Sequence, residues 1–138
     1  MTTAPGLHPD LRTTLERLGT RVISRRGERL FEQGRPASGI YLILTGHIAL
    51  VVEQGRKRAC TQIARPGDCI GLPAVMASNG FSVTAQVVDD ADLIFISRDK
   101  VVNTLSHSPE LCMQALDLLA REVQDMRRVL GAAKYAVH

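Results

Sequence analysis

Between residues 20 and 96 the chain is a series of short β-type runs, separated by Gly, Pro, Asn or Asp. Val22-Ile23 comes first, then Leu30-Phe31. The run Ile40-Tyr41-Leu42-Ile43-Leu44 follows, and Gly46 separates it from His47-Ile48-Ala49-Leu50-Val51-Val52. Glu53-Gln54-Gly55-Arg56-Lys57 predicts a hairpin turn, with Ala59 to Ala64 returning. After a glycine-rich turn come Val83 to Val88, a tight turn at Asp89-Asp90, and Leu93-Ile94-Phe95-Ile96. Many short strands at even spacing predict a sandwich, jelly roll or barrel, in which the strands close on one another around a shared core.

Helical signals flank this block. Pro9 to Leu18 puts Leu11, Leu15 and Leu18 on one face, with Pro9 in the first turn and Gly19 just past the end. Arg98 to Leu105 predicts a second short helix. Ser108-Pro109-Glu110 then offers a side-chain cap, a first-turn proline and early negative charge. The helix it starts is expected to run to about Ala133 and carries Leu116, Leu119, Val123, Met126, Leu130 and Ala133. Their separations alternate between three and four, a heptad seam opposite a wet face of Asp117, Arg121, Glu122, Asp125 and Arg128. A helix this long outruns a small roll, so its far end needs a second copy to cover it; Leu116, Leu119, Val123, Met126 and Leu130 are the expected dimer interface. Gly131 near the end of the seam is a candidate hinge. The organisation expected is a helical segment over 1–19, a β-roll over 20–97 and C-terminal helices over 98–138.

With 138 residues, 45% of them hydrophobic and 22% charged, the chain suits one ordinary globular domain. No apolar run approaches a membrane span, and Met1-Thr2-Thr3-Ala4-Pro5 lacks the basic-then-apolar pattern of a secretory leader, so the expected location is cytoplasmic with no membrane partner. Cys60, Cys69 and Cys112 fit neither a disulfide framework nor a CxxC metal site. A net charge of +3 is too small to imply nucleic-acid binding, although cations cluster at Arg21-Arg25-Arg26-Arg29-Arg35, Arg56-Lys57-Arg58 and Arg121-Arg127-Arg128. No Trp and few other aromatics lie among them to stack bases.

One stretch departs from this basic background. Residues 66 to 97 contain no Lys, Arg or His, yet they hold the turn Pro66-Gly67-Asp68-Cys69-Ile70-Gly71-Leu72-Pro73, which opens onto a short helix. Turns of this kind cradle anions, and without a nearby cation such a site is weak.

The pieces also occur in a recognisable order. Gly27-Glu28-Arg29-Leu30-Phe31-Glu32-Gln33-Gly34, Ile40 to Ile48, Pro66-Gly67-Asp68-Cys69-Ile70-Gly71 and Phe81-Ser82-Val83-Thr84-Ala85 together resemble the cyclic-nucleotide-binding domain of CRP/FNR-type bacterial regulators. The resemblance covers residues 20 to about 131. It implies a mainly β double-stranded β-helix (jelly roll) with an N-terminal helix and a long C-terminal helix that pairs two subunits. Gly34, Gly46, Gly67 and Gly71 then sit where the chain reverses or adopts positive φ.

The resemblance further makes the turn at Gly71 a phosphate-binding cassette, with ligand-pocket positions Gly71, Leu72, Pro73, Ala74, Phe81, Ser82, Val83 and Thr84. Family members that bind cyclic nucleotide have Glu after this glycine for the ribose and Arg just before the residue matching Ser82 for the phosphate. Here Leu72 stands in the Glu slot and Phe81 in the Arg slot, and no shift of register supplies a cation. Losing an Arg–phosphate contact costs roughly 2–3 kcal/mol, on the order of a hundredfold in affinity. What remains is an apolar lining of Leu72, Pro73, Val75, Met76, Phe81 and Val83, with Ser82 and Thr84 hydroxyls for a weakly held anion and Arg121 or Arg128 as remote cations. Cyclic AMP and cyclic GMP are therefore not expected to bind in the usual way.

Two other functional classes remain open. Some family members bind haem; here an axial ligand would come from His47, Cys69, Met76, His107 or Cys112. A cupin-type metalloenzyme would need clustered histidines, whereas His8, His47, His107 and His138 are far apart in sequence, and no HExxH, Walker or Ser–His–Asp pattern occurs. Catalysis is not expected. Relatives carry a helix-turn-helix domain after the long helix, and this chain reaches His138 without room for one, so DNA binding by this chain alone is not expected.

Overall fold

The computed structural model describes residues 7–77 and 80–121. Helix α1 (Pro9–Leu18) is followed by β1 (Thr20–Ser24), β2 (Arg29–Phe31), β3 (Gly39–Gln54), β4 (Lys57–Ala64) and β5 (Cys69–Ile70). Helix α2 (Leu72–Ala77), β6 (Thr84–Ser97) and α3 (Arg98–His107) follow, and a further helix, α4, occupies 109–121. The six strands form one sheet in the order β1-β6-β3-β4, with β2 also on β6 and β5 also on β3, and every pairing is antiparallel. This is the expected mainly β jelly roll with flanking helices.

The sheet depends on two long strands where the sequence predicts four short ones. Gly46 does not separate two strands, and Asp89-Asp90 is not a tight turn: β3 and β6 each run straight through. Their mutual register instead shifts between Ile43 and Thr45, Thr45 and His47, and His47 and Ile48. Bulges of this kind bend a strand without ending it, so each strand turns a corner. Gly46 sits at that corner with φ +91°, and a Cβ there would come within 2.8 Å of the Ala91 Cα. Polar side chains brace the bend. Thr45 Oγ1 accepts from the Asp92 N–H at 3.2 Å, His47 Nδ1 lies 2.7 Å from Asp89 Oδ2, and Asp90 accepts from the Arg26 N–H at 2.8 Å. The hairpin turn is tighter than expected, with only Gly55 and Arg56 between β3 and β4.

One core joins all three sequence segments. Leu11 and Leu15 of α1, Ile40, Leu42, Ile43 and Ile48 of β3, Leu93 and Ile96 of β6, Val101 and Leu105 of α3, and Ala115 and Leu118 of α4 belong to a single buried cluster. Helix ends are capped from nearby chain: Ser97 Oγ accepts from the Lys100 N–H, Lys100 Nζ donates to the carbonyl of Leu18 at the end of α1, and Ser108 Oγ accepts from the Leu111 N–H. On α4 the most buried positions are Ala115 and Leu118, while Leu116 is 46% exposed and Leu119 is half-buried against the core. The remaining seam positions Val123, Met126 and Leu130, with Gly131, lie outside the described residues. Among the described residues no helix is long and apolar enough to cross a membrane.

Candidate functional site

The turn between β5 and α2 is built as the sequence predicts. Gly67 and Gly71 have φ of +95° and +93°, a region that residues with a Cβ resist. The Asp68 carboxylate accepts from the Arg65 N–H at 2.9 Å, and the Gly67 N–H donates to the Ile43 carbonyl at 2.8 Å, fastening the turn to β3. At Gly71 the space above Cα is already taken: a Cβ would lie 3.1 Å from the Gly39 carbonyl oxygen and 3.3 Å from a ring carbon of Phe81.

Phe81 is the residue that shapes the site. Its ring is 5% exposed and stacks on Phe31 with centroids 3.9 Å apart and planes 14° from parallel. Its backbone is clamped on both sides, the N–H donating to the Arg35 carbonyl at 2.9 Å and the carbonyl accepting from the Gly34 N–H at 2.8 Å. Beside it Pro36 and Gly80 form an isolated antiparallel bridge. The ring therefore lies over the cassette glycine, packed as core. From Phe31 the aromatic contacts continue to Tyr41 at 6.3 Å and from Tyr41 to Phe95 at 5.1 Å.

The other predicted pocket residues divide by burial. Leu72, Ala74 and Val75 face the core, with Leu72 2% exposed, so the position expected to match the family's Glu is buried and apolar. Pro73 and Ser82 are exposed, and Val83 and Met76 are half-buried. Thr84 is buried, and its Oγ1 already accepts the Gln33 N–H at 3.0 Å. The structure thus brings Gly71, Leu72 and Phe81 together, but it turns Ser82 outward and gives the Thr84 oxygen a backbone partner.

Sequence reasoning missed the segment that covers the cassette. Phe31 at the end of β2, with Gln33 and Arg35 just after it, reaches it beside β6, and the Gly34 turn was the signal that placed them there. The Gln33 side chain mimics a neighbouring strand: its Oε1 accepts the Glu53 N–H at 2.7 Å, and its Nε2 donates to the Glu53 carbonyl at 3.2 Å. Arg35 is a cation carried next to residue 81 by the fold. Its side chain, however, is 76% exposed and pairs outward with Glu32 at 4.0 Å. Of the remote cations, Arg121 is exposed and bonded to Asp117, and Arg128 lies outside the described residues.

The candidate haem ligands sit on separate elements. His47 is at the bend of β3 against Asp89, Cys69 is buried on β5, and Met76 is half-buried in the last turn of α2. His107 Nδ1 is 2.7 Å from the Asn103 carbonyl, and Cys112 is half-buried on α4. Among the described residues no three His, Cys, Asp or Glu side chains cluster closely enough to hold a metal ion. An open groove lined by Leu7, His8, Met113, Gln114, Leu118 and Arg121 lies between the start of α1 and α4, and none of its residues belongs to the cassette.

With this geometry in hand, comparison with known families is decisive: the model of the cyclic nucleotide-binding domain matches residues 21–108. The chain belongs to the cyclic nucleotide-binding domain family. It is 25% identical over 101 residues to the CRP-like cAMP-activated global transcriptional regulator of Mycobacterium tuberculosis, covering 72% of this chain and 45% of that protein. It is 22% identical over 107 residues to the transcriptional activator protein anr of Pseudomonas aeruginosa, covering 77% and 43%. The chain thus spans less than half the length of these curated relatives. Among solved structures, the catabolite activator protein of Thermus thermophilus superposes with a TM-score of 0.79 at 21% identity, over 94% of this chain and 62% of that one. The c-di-GMP responsive regulator CLP of Xanthomonas campestris superposes with a TM-score of 0.74 at 16% identity, over 88% and 62%. These likenesses place the cyclic nucleotide-binding domain fold beyond argument.

Proposed function

We propose that this domain is the regulatory module of a CRP/FNR-type regulator whose roll does not take cyclic AMP or cyclic GMP through the usual cassette contacts. The observation that carries the reading is Phe81: at the position that the resemblance matches to the phosphate-binding Arg stands a buried ring stacked on Phe31. A phosphate seated over Gly71 would meet that ring instead of a guanidinium, and the cyclic ester would lose its strongest polar partner. Leu72 compounds this, since a buried leucine offers a ribose hydroxyl nothing to bond. The names of the relatives fit a fold whose ligand varies: one is described as cAMP-activated and one as c-di-GMP responsive.

The role is regulatory rather than catalytic, and its output passes through the C-terminal helix. The half-exposed Leu116, at the start of the heptad seam, supports pairing of two copies through Leu116, Leu119, Val123, Met126 and Leu130. A bound effector would act by biasing the relative angle of the paired helices.

A thermal-shift series with cyclic AMP, cyclic GMP, cyclic dinucleotides and haem tests the ligand half of this reading. No shift with either mononucleotide is expected; a saturable shift with cyclic AMP would overturn it. Light scattering tests the assembly half: a dimer is expected for the wild type and a monomer for Val123→Glu, and an unchanged dimer would remove the seam as the interface.

A further inference from the structure

One face of the sheet carries a row that sequence order conceals. Antiparallel register sets Arg29 opposite Gln86, Gln86 opposite Ala49, and Ala49 opposite Ile63, so these four side chains share one face across β2, β6, β3 and β4. Further along the same face, Val51 pairs with Cys60 and Glu53 with Arg58. The face is open. Ile63 is 40% exposed, Cys60 is exposed, and every β4 residue from Lys57 to Ile63 is exposed, although β3 beside it is mostly covered.

Charge on this face has a definite layout. Arg58 donates to the Gln86 side chain at 2.8 Å and stands 3.6 Å from Glu53, which Arg29 approaches from the other side at 3.8 Å. Glu32 lies between Arg29 and Arg35 at 3.9 and 4.0 Å. Two carboxylates are thus held among Arg29, Arg35 and Arg58, and the hairpin tip adds Arg56 and Lys57, leaving the region strongly positive. Gln33 pins the root of the hairpin through both backbone groups of Glu53, and Arg29 and Arg58 are held by Glu53 and Gln86. Cations held in this way lose less freedom on binding, which favours their use as contacts.

We propose that this face docks an acidic protein segment that presents apolar anchors to Ala49, Cys60 and Ile63. The apolar floor and the cationic rim match such a segment by charge complementarity. A nucleic-acid backbone fits less well. Glu32 and Glu53 stand among the cations and repel phosphates, the floor offers no aromatic ring for a base, and no helix projects into a groove. Thr84 lies opposite Val51 at one end of this face, where Gln33 covers it, but the proposed contacts Arg29, Ala49, Arg58, Cys60, Ile63 and Gln86 are not cassette positions, so the inference does not rest on the cassette reading.

Titration of the isotope-labelled full chain with a short acetylated glutamate-rich peptide carrying two leucines, followed by amide resonances, tests the proposal. Shifts are expected at Arg29, Ala49, Arg58, Cys60, Ile63 and Gln86, and affinity should fall steeply with added salt. Arg56→Glu with Lys57→Glu should weaken binding by about tenfold or more, and Ile63→Ser should erase the preference for the leucines. Both changes lie on exposed positions, and an unchanged melting temperature confirms that the variants are folded. Absence of shifts, shifts elsewhere, or equal binding of the glutamine version of the peptide would overturn the proposal. So would tighter engagement of the same residues by duplex DNA or phosphatidylglycerol vesicles.

Discussion

The rings of Phe31 and Phe81 lie nearly parallel, 3.9 Å apart, one from β2 and the other from the segment that follows the cassette helix. Contact at this distance leaves no room for a third group between them. Phe81, which the proposed register sets in the place of a ligand-binding cation, is thus part of the protein's own interior, and stability depends on it.

Truncating that ring should therefore be costly. Phe81→Ala is expected to lower unfolding free energy by about 3–5 kcal/mol, and Phe81→Leu by less than about 2 kcal/mol, because only the first leaves a ring-sized void. Denaturant titration measures both. A loss below about 1 kcal/mol for the alanine variant would mean that the stack contributes little.

Introducing the two polar residues that the proposed register calls for should trade stability for binding. Leu72→Glu with Phe81→Arg puts two charges into positions that are 2% and 5% exposed, so the double variant should melt well below the wild type in the absence of ligand. Adding cyclic AMP should raise the melting temperature of the variant and leave the wild type unmoved, since a ligand stabilises only the state that binds it. If the variant gains nothing from cyclic AMP, then Leu72 and Phe81 are not the positions aligned with the ribose and phosphate contacts.

Glycine substitutions separate backbone strain from crowding. Gly46 and Gly55 both have positive φ, yet a Cβ at Gly55 meets nothing within 4 Å, whereas one at Gly46 would collide with the Ala91 backbone at 2.8 Å. Gly55→Ala should cost about 1 kcal/mol, the price of a left-handed alanine, and Gly46→Ala at least about twice that. Equal costs in thermal unfolding would show that the corner between β3 and β6 relaxes freely.

The way the corner is built also explains what could be read in advance. Local signals sufficed for α1, α3 and the start of α4, because Pro9, Ser97 and Ser108 mark helix starts chemically, and for the Gly67 and Gly71 turn, because positive φ selects glycine. They failed at Gly46 and Asp89-Asp90. A bulge and a turn both call for small or polar residues, and only the partner strand decides whether hydrogen bonding continues past them. The absence of a cation from the cassette was plain from composition. The identity of what fills the space was not, because Phe31 and Phe81 are far apart in sequence and meet only through β2–β6 pairing.

Two aspartates should respond to pH with opposite sign. Burial, opposed by the Arg65 N–H bond and the Arg65 charge, holds the Asp68 carboxyl above the usual carboxylate range. Its contribution therefore favours folding below the ordinary carboxylate pKa and is lost as pH rises through the raised value. Asp68→Asn keeps an acceptor for the Arg65 N–H, and it should raise the melting temperature near about pH 7 but not near about pH 3. The Asp92 carboxyl is held below the usual range, first by its hydrogen bonds from Arg21, one of them 2.8 Å long. Its contribution is present above the ordinary value and fades as pH falls through the lowered one, so Asp92→Asn should lower the melting temperature at neutral pH and matter progressively less in acid. Melting curves across this range check both; the same sign of effect for both variants would contradict the assignment.

Isothermal titration of the wild-type domain with cyclic AMP at physiological ionic strength reaches the core of the account. No saturable heat is expected in the micromolar range, because on the proposed register a stacked phenyl ring stands in place of the guanidinium. A submicromolar dissociation constant with one nucleotide per chain would contradict it.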